Sequence, residues 1–357
     1  MKTYKKIIRT SKGEYKMAKD NTSAPKYPGN KKKFRMLPPF KVNFITNNLD
    51  EIVNYGVNLH NIPEKWKKTR GEGVLIGVID TGLPVHRDLD GQILDSKNFT
   101  ESPIEDLVQG HSTHVSGVIA ASDTPQGVIG IAPHSKLVIA KALGDDGSGS
   151  DQSMAAAIRW CMEKNVHIIN MSLGAPAEAE DMFPETRKAV EEAYGRNIAI
   201  ICAAGNENAA RVGLPGMYPE SIAVAAINSQ KDRASFSNRG SEVDFAAAGV
   251  NIMSCFKNNT YASLSGTSMA CPQITGIAAL ILSEHIGNIE NGSVLLSPKE
   301  LEERITKICV DLGNPGKDTD FGNGMPVFGH VSTDSISETK QKNWLSKLWD
   351  IVRGKVI

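Results

Sequence analysis

Val74-Leu75-Ile76-Gly77-Val78-Ile79-Asp80-Thr81-Gly82 is a short apolar run that closes on an acid, a hydroxyl and a glycine. A run without apolar/polar alternation reads as a strand buried on both faces, the signature of a parallel sheet. Similar runs recur at 137–140, 167–171, 198–203 and 222–226. Between them lie helical patterns: 151–164, with Met154, Ile158 and Trp160-Cys161-Met162 toward a core, and 185–196. Strands alternating with helices predict an α/β fold, three-layer and doubly wound, with a mainly parallel sheet and helices on both faces. Active groups in such folds gather at the carboxyl ends of the strands, and Asp80 closes one of them.

The rest of the chain divides by composition. Forty basic and forty acidic side chains give no net charge, but they are unevenly placed. Residues 1–35 carry twelve Lys/Arg against Glu14 and Asp20, and residues 331–357 a net charge of +2, which leaves 36–330 near −12. A basic leader and an acidic body attract each other, so the leader either lies across the body or remains a solvated tail. Its stretch 19–33 is rich in Pro, Asn, Ser and Lys, a composition expected to be flexible. The patch Met36-Leu37-Pro38-Pro39-Phe40 follows, held extended by its prolines. Residues 36–60 thus form an N-terminal extension, 61–330 the main domain, and 331–357 a linker and a C-terminal helix. That helix, 343–357, sets Trp344, Leu345, Leu348, Trp349, Ile351 and Val352 among Lys347, Arg353 and Lys355. A basic amphipathic helix of this kind docks on its own domain, on a membrane surface or on a partner.

Five cysteines, an odd number with no CxxC pair, sit mostly in apolar runs and read as small core residues of a reducing compartment. The first thirty residues hold only Ile7-Ile8 as an apolar pair, so no secretion signal is expected. No stretch reads as long and apolar enough to span a bilayer. A cytoplasmic address is expected, and no nucleic-acid partner.

Chemistry concentrates in three segments. Asp80 ends its strand as a carboxylate that needs a cation or donor to be tolerated there. His111 opens GHSTHVSGVIAA (110–121), small residues that run on as a helix, with His114 one turn later as a packed neighbour. Ser268 lies in LSGTSMACPQITGIAALIL (264–282), where Gly266 permits a tight turn and an apolar helix presents the serine at its N-terminus. A serine hydroxyl becomes nucleophilic when a neutral imidazole takes its proton, and a carboxylate fixes that imidazole's tautomer. Asn206, in CAAGNEN (202–208), stands after another buried strand, where its amide can donate to a developing oxyanion beside the backbone N–H of Ser268.

Together VIDTG, GHSTHVSGVIAA, NMSLG, AAGNEN and GTSMACP, in the chain order Asp, His, Ser, resemble the subtilisin family, most closely the intracellular subtilisins of bacteria, over about residues 60–330. The resemblance implies a serine endopeptidase with catalytic Asp80, His111, Ser268 and Asn206. It implies that Ser172-Leu173-Gly174 and Gly147-Ser148-Gly149 bind a protein or peptide substrate by strand addition. Ala203, Ala204, Gly205 and Gly213 would line the pocket for the side chain before the scissile bond. Glu207 at its rim would favour basic or polar side chains, as would Asp151 further along the cleft. MLPPF then reads as an inhibitory motif, the chain's own extension blocking the cleft of a zymogen. The resemblance also implies structural calcium at Asp88 and the loop 122–128, with oxygens from Ser122, Thr124, Gln126 and Val128, and a homodimer as a further partnership.

Four departures stand out. The 80–88 segment is one residue short, Ser112 replaces a usual glycine, Gln273 replaces a frequent histidine, and the leader is long. A peptide-binding or regulatory protein with little turnover is the alternative, but binding alone does not require all four catalytic side chains. An esterase or lipase would want a GxSxG elbow in another chain order.

Overall fold

The computed structural model describes residues 32–47, 54–124, 126–287 and 296–330, and the backbone of two short strands nearer the N-terminus. The rest of the 1–35 leader and the stretch 331–357, with its expected C-terminal helix, lie outside the described residues. In chain order the elements begin with β1 (Ile8–Arg9), β2 (Tyr15–Lys16), β3 (Phe34–Arg35) and β4 (Lys41–Thr46). Next come α1 (Tyr55–Leu59), α2 (Ile62–Trp66), β5 (Leu75–Asp80), β6 (Ile93–Asn98), α3 (His111–Ala120) and β7 (Lys136–Lys141). Then follow β8 (Ser148–Gly149), α4 (Asp151–Glu163), β9 (Ile168–Met171), α5 (Pro184–Gly195), β10 (Ala199–Ala203), β11 (Ser221–Ile227) and β12 (Val243–Ala248). The chain closes with β13 (Ile252–Phe256), β14 (Thr260–Ser265), α6 (Thr267–Gly287), α7 (Pro298–Thr306), β15 (Cys309–Val310) and β16 (Met325–Pro326).

Seven strands form one sheet in the order β12-β11-β10-β9-β5-β7-β6, and every pairing in it is parallel. Successive side chains of a strand point to opposite faces, so each inner strand feeds two cores. Ile76 and Val78 of β5 join Val115 and Ile119 of α3 and Ile274 and Ile277 of α6 on one face. Ile79 of β5 joins Met154 and Ile158 of α4 and Val190 of α5 on the other. This is the three-layer arrangement the sequence predicts, and it explains why these strands show no alternation.

Helix α6 is, by length and composition, apolar enough to cross a membrane, which the sequence reading did not expect of any stretch. It is instead the central core helix, with 83% of its apolar window buried. All five cysteines are free and buried.

The extension departs from the picture of a loose leader meeting a separate domain. Phe34 and Arg35, counted with the leader by composition, pair antiparallel with Gly149 and Ser148. β4 then pairs antiparallel with β14 in a small second sheet, β13-β14-β4.

Candidate active site

Three elements of the main sheet layer converge where Asp80, His111 and Ser268 meet. Asp80 is the last residue of β5, His111 the first of α3 and Ser268 the second of α6, and all three are fully buried beneath the extension. His111 Nδ1 lies 2.8 Å from Asp80 Oδ1 and 3.1 Å from Oδ2. Asp80 Oδ1 also accepts the Thr81 N–H at 2.7 Å. A carboxylate on Nδ1 leaves Nε2 as the basic nitrogen of the ring.

The expected hydrogen-bonded row is broken at its third member. Ser268 Oγ donates to the carbonyl of Ser172 at 3.0 Å, and His111 Nε2 is buried with no hydrogen-bond partner among the described residues. The Phe40 ring stands 5.1 Å from the imidazole, centroid to centroid, on the cleft side. With that side covered, the hydroxyl takes the nearest acceptor, and catalytic hydrogen bonds commonly tighten only around bound substrate.

Asn206 is held by its own oxygen. Its Oδ1 accepts both the backbone N–H and the hydroxyl of Thr267 at 2.8 Å, which turns Nδ2 into the cleft. There Nδ2 donates to the Pro39 carbonyl at 3.0 Å. Gly205, just before it, adopts φ +110°, and a Cβ there would stand 2.2 Å from Asn238 Nδ2, so both conformation and space demand glycine.

The extension lies in the cleft much as a strand-added peptide would. Met36 and Leu37 donate to the Gly147 carbonyl at 3.0 Å, and the Gly174 N–H donates to the Met36 carbonyl at 2.8 Å. Met36 and Leu37 are buried. Beneath Pro38 and Pro39 remains a cavity of about 140 Å³ lined by Leu173, Gly174, Ala203, Ala204, Gly205, Glu207 and Gly213. Glu207 Oε2 accepts from Asn238 Nδ2 at 2.8 Å, which fixes the carboxylate at this wall.

One assignment is corrected. Asp151 does not face the cleft: its carboxylate accepts the N–H groups of Glu185 and Thr186 at 3.0 and 2.7 Å and the Thr186 hydroxyl at 2.8 Å. Its charge is committed to the N-terminus of α5, where exposed N–H groups attract a carboxylate.

Asp88 lies against Ser122, Gly127 and Val128 of the expected calcium loop, and the Ser122 N–H donates to its backbone carbonyl at 2.8 Å. The carboxylate is buried and accepts the Val128 N–H at 3.0 Å and the Tyr261 hydroxyl at 3.1 Å, with Arg87 Nε 3.6 Å away. Thr124 turns its hydroxyl to the Gln126 carbonyl at 2.8 Å, so it does not point at Asp88. Asp88 thus offers a buried carboxylate, a hard oxygen donor of the kind calcium takes, whose oxygens are held by Val128, Tyr261 and Arg87. The neighbouring trio His86, Asp88 and Cys255 is accounted for by packing, because His86 Nδ1 accepts the Asp88 N–H and Nε2 bonds the Thr260 carbonyl.

With this geometry in view, comparison with known proteins is direct. The family model described as the subtilase family matches residues 71–324. The chain belongs to the subtilase family. It is similar to the intracellular serine protease of Paenibacillus polymyxa, 40% identical over 281 residues that cover 76% of this chain and 83% of that one. The major intracellular serine protease of Bacillus subtilis is 39% identical, over 64% of this chain and 74% of its own. Subtilisin DY of Bacillus licheniformis is 37% identical, over 74% of this chain and 94% of its own. This subtilase is therefore a subtilisin-type serine endopeptidase, an enzyme whose substrates are proteins or peptides.

Several supporting residues of the subtilase escaped the sequence reading. Asp106, fully buried, accepts from Thr81 Oγ1, Gly110 N, Thr113 N and Thr113 Oγ1 at 2.8–3.0 Å. It ties the end of β5 to the first turn of α3, the two elements that carry Asp80 and His111. Burial pushes its carboxyl up to about 6, against the pull of the Thr81 and Thr113 bonds and with help from Asp80. Lys141, paired in register with Asp80, is fully buried and donates to the Thr81 carbonyl and to Asp145. The available signal was a charged residue ending an apolar run, the same one that exposed Asp80. His114 is a packed neighbour, its Nε2–H donating to the Ile252 and Ala262 carbonyls, and burial lowers it to about 3. Of the unusual substitutions, Ser112 donates its N–H to Thr81 Oγ1 at 3.1 Å, and Gln273 is buried against Gly56.

Proposed function

We propose that this subtilase is made as a self-inhibited zymogen and hydrolyses peptide bonds through an acyl-enzyme formed on Ser268. The observation that carries the reading is the joint geometry of the 2.8 Å Asp80–His111 contact and an Asn206 amide aimed at a peptide carbonyl in the cleft. In the reaction Ser268 Oγ attacks the scissile carbonyl while His111 Nε2 takes its proton and Asp80 stabilises the imidazolium. Asn206 Nδ2 and the Ser268 N–H hold the oxyanion. His111 then protonates the leaving amine, and water repeats the sequence to release the acid.

Self-inhibition is supported by the extension itself. It pairs with Gly147–Gly149 and Gly174, brings Pro39 to Asn206 and covers His111 with Phe40, while the nucleophile faces Ser172. Removal of the extension opens the cleft. Calcium is proposed at Asp88 with the side-chain oxygen of Gln126 and the carbonyls of Ser122 and Val128; when bound it supplies positive charge that clamps the loop and no reaction chemistry. Five unpaired, buried thiols and the names of the two intracellular relatives support a cytoplasmic location. The test is Ser268→Ala in the full chain, which should neither cleave casein-like protein nor react with a fluorophosphonate; retained cleavage would remove Ser268 as the nucleophile.

A further inference from the structure

The extension continues past the part of the cleft that the chemistry needs, and its far end makes side-chain contacts of its own. Phe34 lies five residues ahead of Pro39, whose carbonyl stands at Asn206. Its backbone is paired with Gly149, and its ring packs at 5.2 Å and 51° on Phe183. Phe183, 1% exposed under this cover, joins the 3₁₀ turn Ala177–Met182 to α5. The same turn carries the exposed acids Glu178, Glu180 and Asp181. Ahead of Phe34, the Lys32 ammonium stands 5.2 Å over the Phe34 ring and 4.0 Å from Met182 Sδ. Lys33 Nζ lies 3.7 Å from Glu101.

We propose that Phe183 and this acidic rim form a distal specificity site that selects an aromatic residue five positions ahead of the carbonyl to be attacked, led by basic residues. The proposal rests on reading the extension as a substrate-like occupant of a protease cleft. The aromatic contact dominates. The Lys33–Glu101 pair is 58% and 91% exposed, a pair that salt screens and whose contribution is small. Strand pairing fixes which face each side chain meets, so the selected position is sharp: moving the aromatic residue by one turns it away from Phe183.

The test uses the chain after release of its extension, which frees both the catalytic cleft and Phe183, and pairs of competing peptides in one tube, read by mass spectrometry. Peptides carry Phe or Ala five residues ahead of the cleaved carbonyl, or Phe displaced by one. The expected preference for Phe at the fifth position is about three- to tenfold in kcat/KM, the equivalent of one aromatic pair. It should vanish with the displaced Phe and fall toward unity in Phe183→Ala, with Phe183→Leu intermediate. Lys-Lys-Phe should be favoured over Ser-Ser-Phe at low salt, less so at high salt. A ratio near one in the parent chain, or a preference unchanged in both variants, overturns the proposal. Peptides left uncut even with the extension released would instead strike at the catalytic reading beneath it.

Discussion

The side-chain amide of Asn206 donates to the carbonyl oxygen of Pro39 at 3.0 Å. Because Thr267 fixes the other end of that amide, the donor is oriented before any charge develops on a substrate, which is the condition for oxyanion stabilisation. Asn206→Ala should therefore lower kcat by about 10²–10³ with KM little changed, a magnitude taken from the equivalent asparagine of subtilisin rather than derived from this geometry. Steady-state kinetics on a peptide amide decide it; a change confined to KM would make Asn206 a ground-state contact.

Phe40 packs against the imidazole of His111. Losing a tilted aromatic contact at 5.1 Å weakens the extension's hold by roughly 0.5–1.5 kcal/mol. Phe40→Ala in the full chain should raise initial velocity about three- to tenfold, or shorten a lag to match, and leave the final rate unchanged. Superimposable progress curves for the two proteins would count against the inhibitory role.

Asp106 gives a dependence on pH whose sign follows from burial. Its carboxyl stands at about 6 in the folded protein against about 3.9 in an unfolded chain, so the folded state holds its proton more tightly. The resulting stability is complete below pH 4 and is lost as pH rises through 6, roughly 3 kcal/mol at about 1.4 per unit. Asp106→Asn should flatten that part of the profile. Urea midpoints at pH 4, 5, 6 and 7 measure it, and parallel profiles for parent and variant would refute it.

These supporting groups mark where sequence reading stops. The five inner strands of the seven-stranded sheet were legible because strands buried on both faces cannot alternate, while the edge strands β6 and β12 went unread; each reactive residue was legible because it stands at or beside the end of a strand or the start of a helix. Asp151 was misread because an acid beside the cleft and an acid capping a helix look alike in sequence; the deciding partner, Thr186, lies 35 residues away. Asp106 and Lys141 were missed because their partners, hydroxyls, a carboxylate and backbone groups around Thr81, Thr113 and Asp145, are gathered about them only by the fold. The turned Ser268 hydroxyl was illegible because it depends on what fills the cleft.

Gly127 approaches Asp88 so closely that a Cβ on it would stand 2.1 Å from Asp88 Oδ2. Arg87, Tyr261 and the Val128 N–H already offset the buried carboxylate, so a calcium ion there adds to a formed site rather than creating it. An ion held at a hundred times its dissociation constant stabilises by about 2.7 kcal/mol. For a domain of this size that is a shift of roughly 5 °C in Tm. Chelation should lower the Tm of the parent chain by that amount and calcium should restore it, while Asp88→Asn should melt lower and ignore both additions. A parent chain whose melting is the same with chelator and with calcium would mean that Arg87, Tyr261 and Val128 suffice, and the loop would be a structural clasp without an ion.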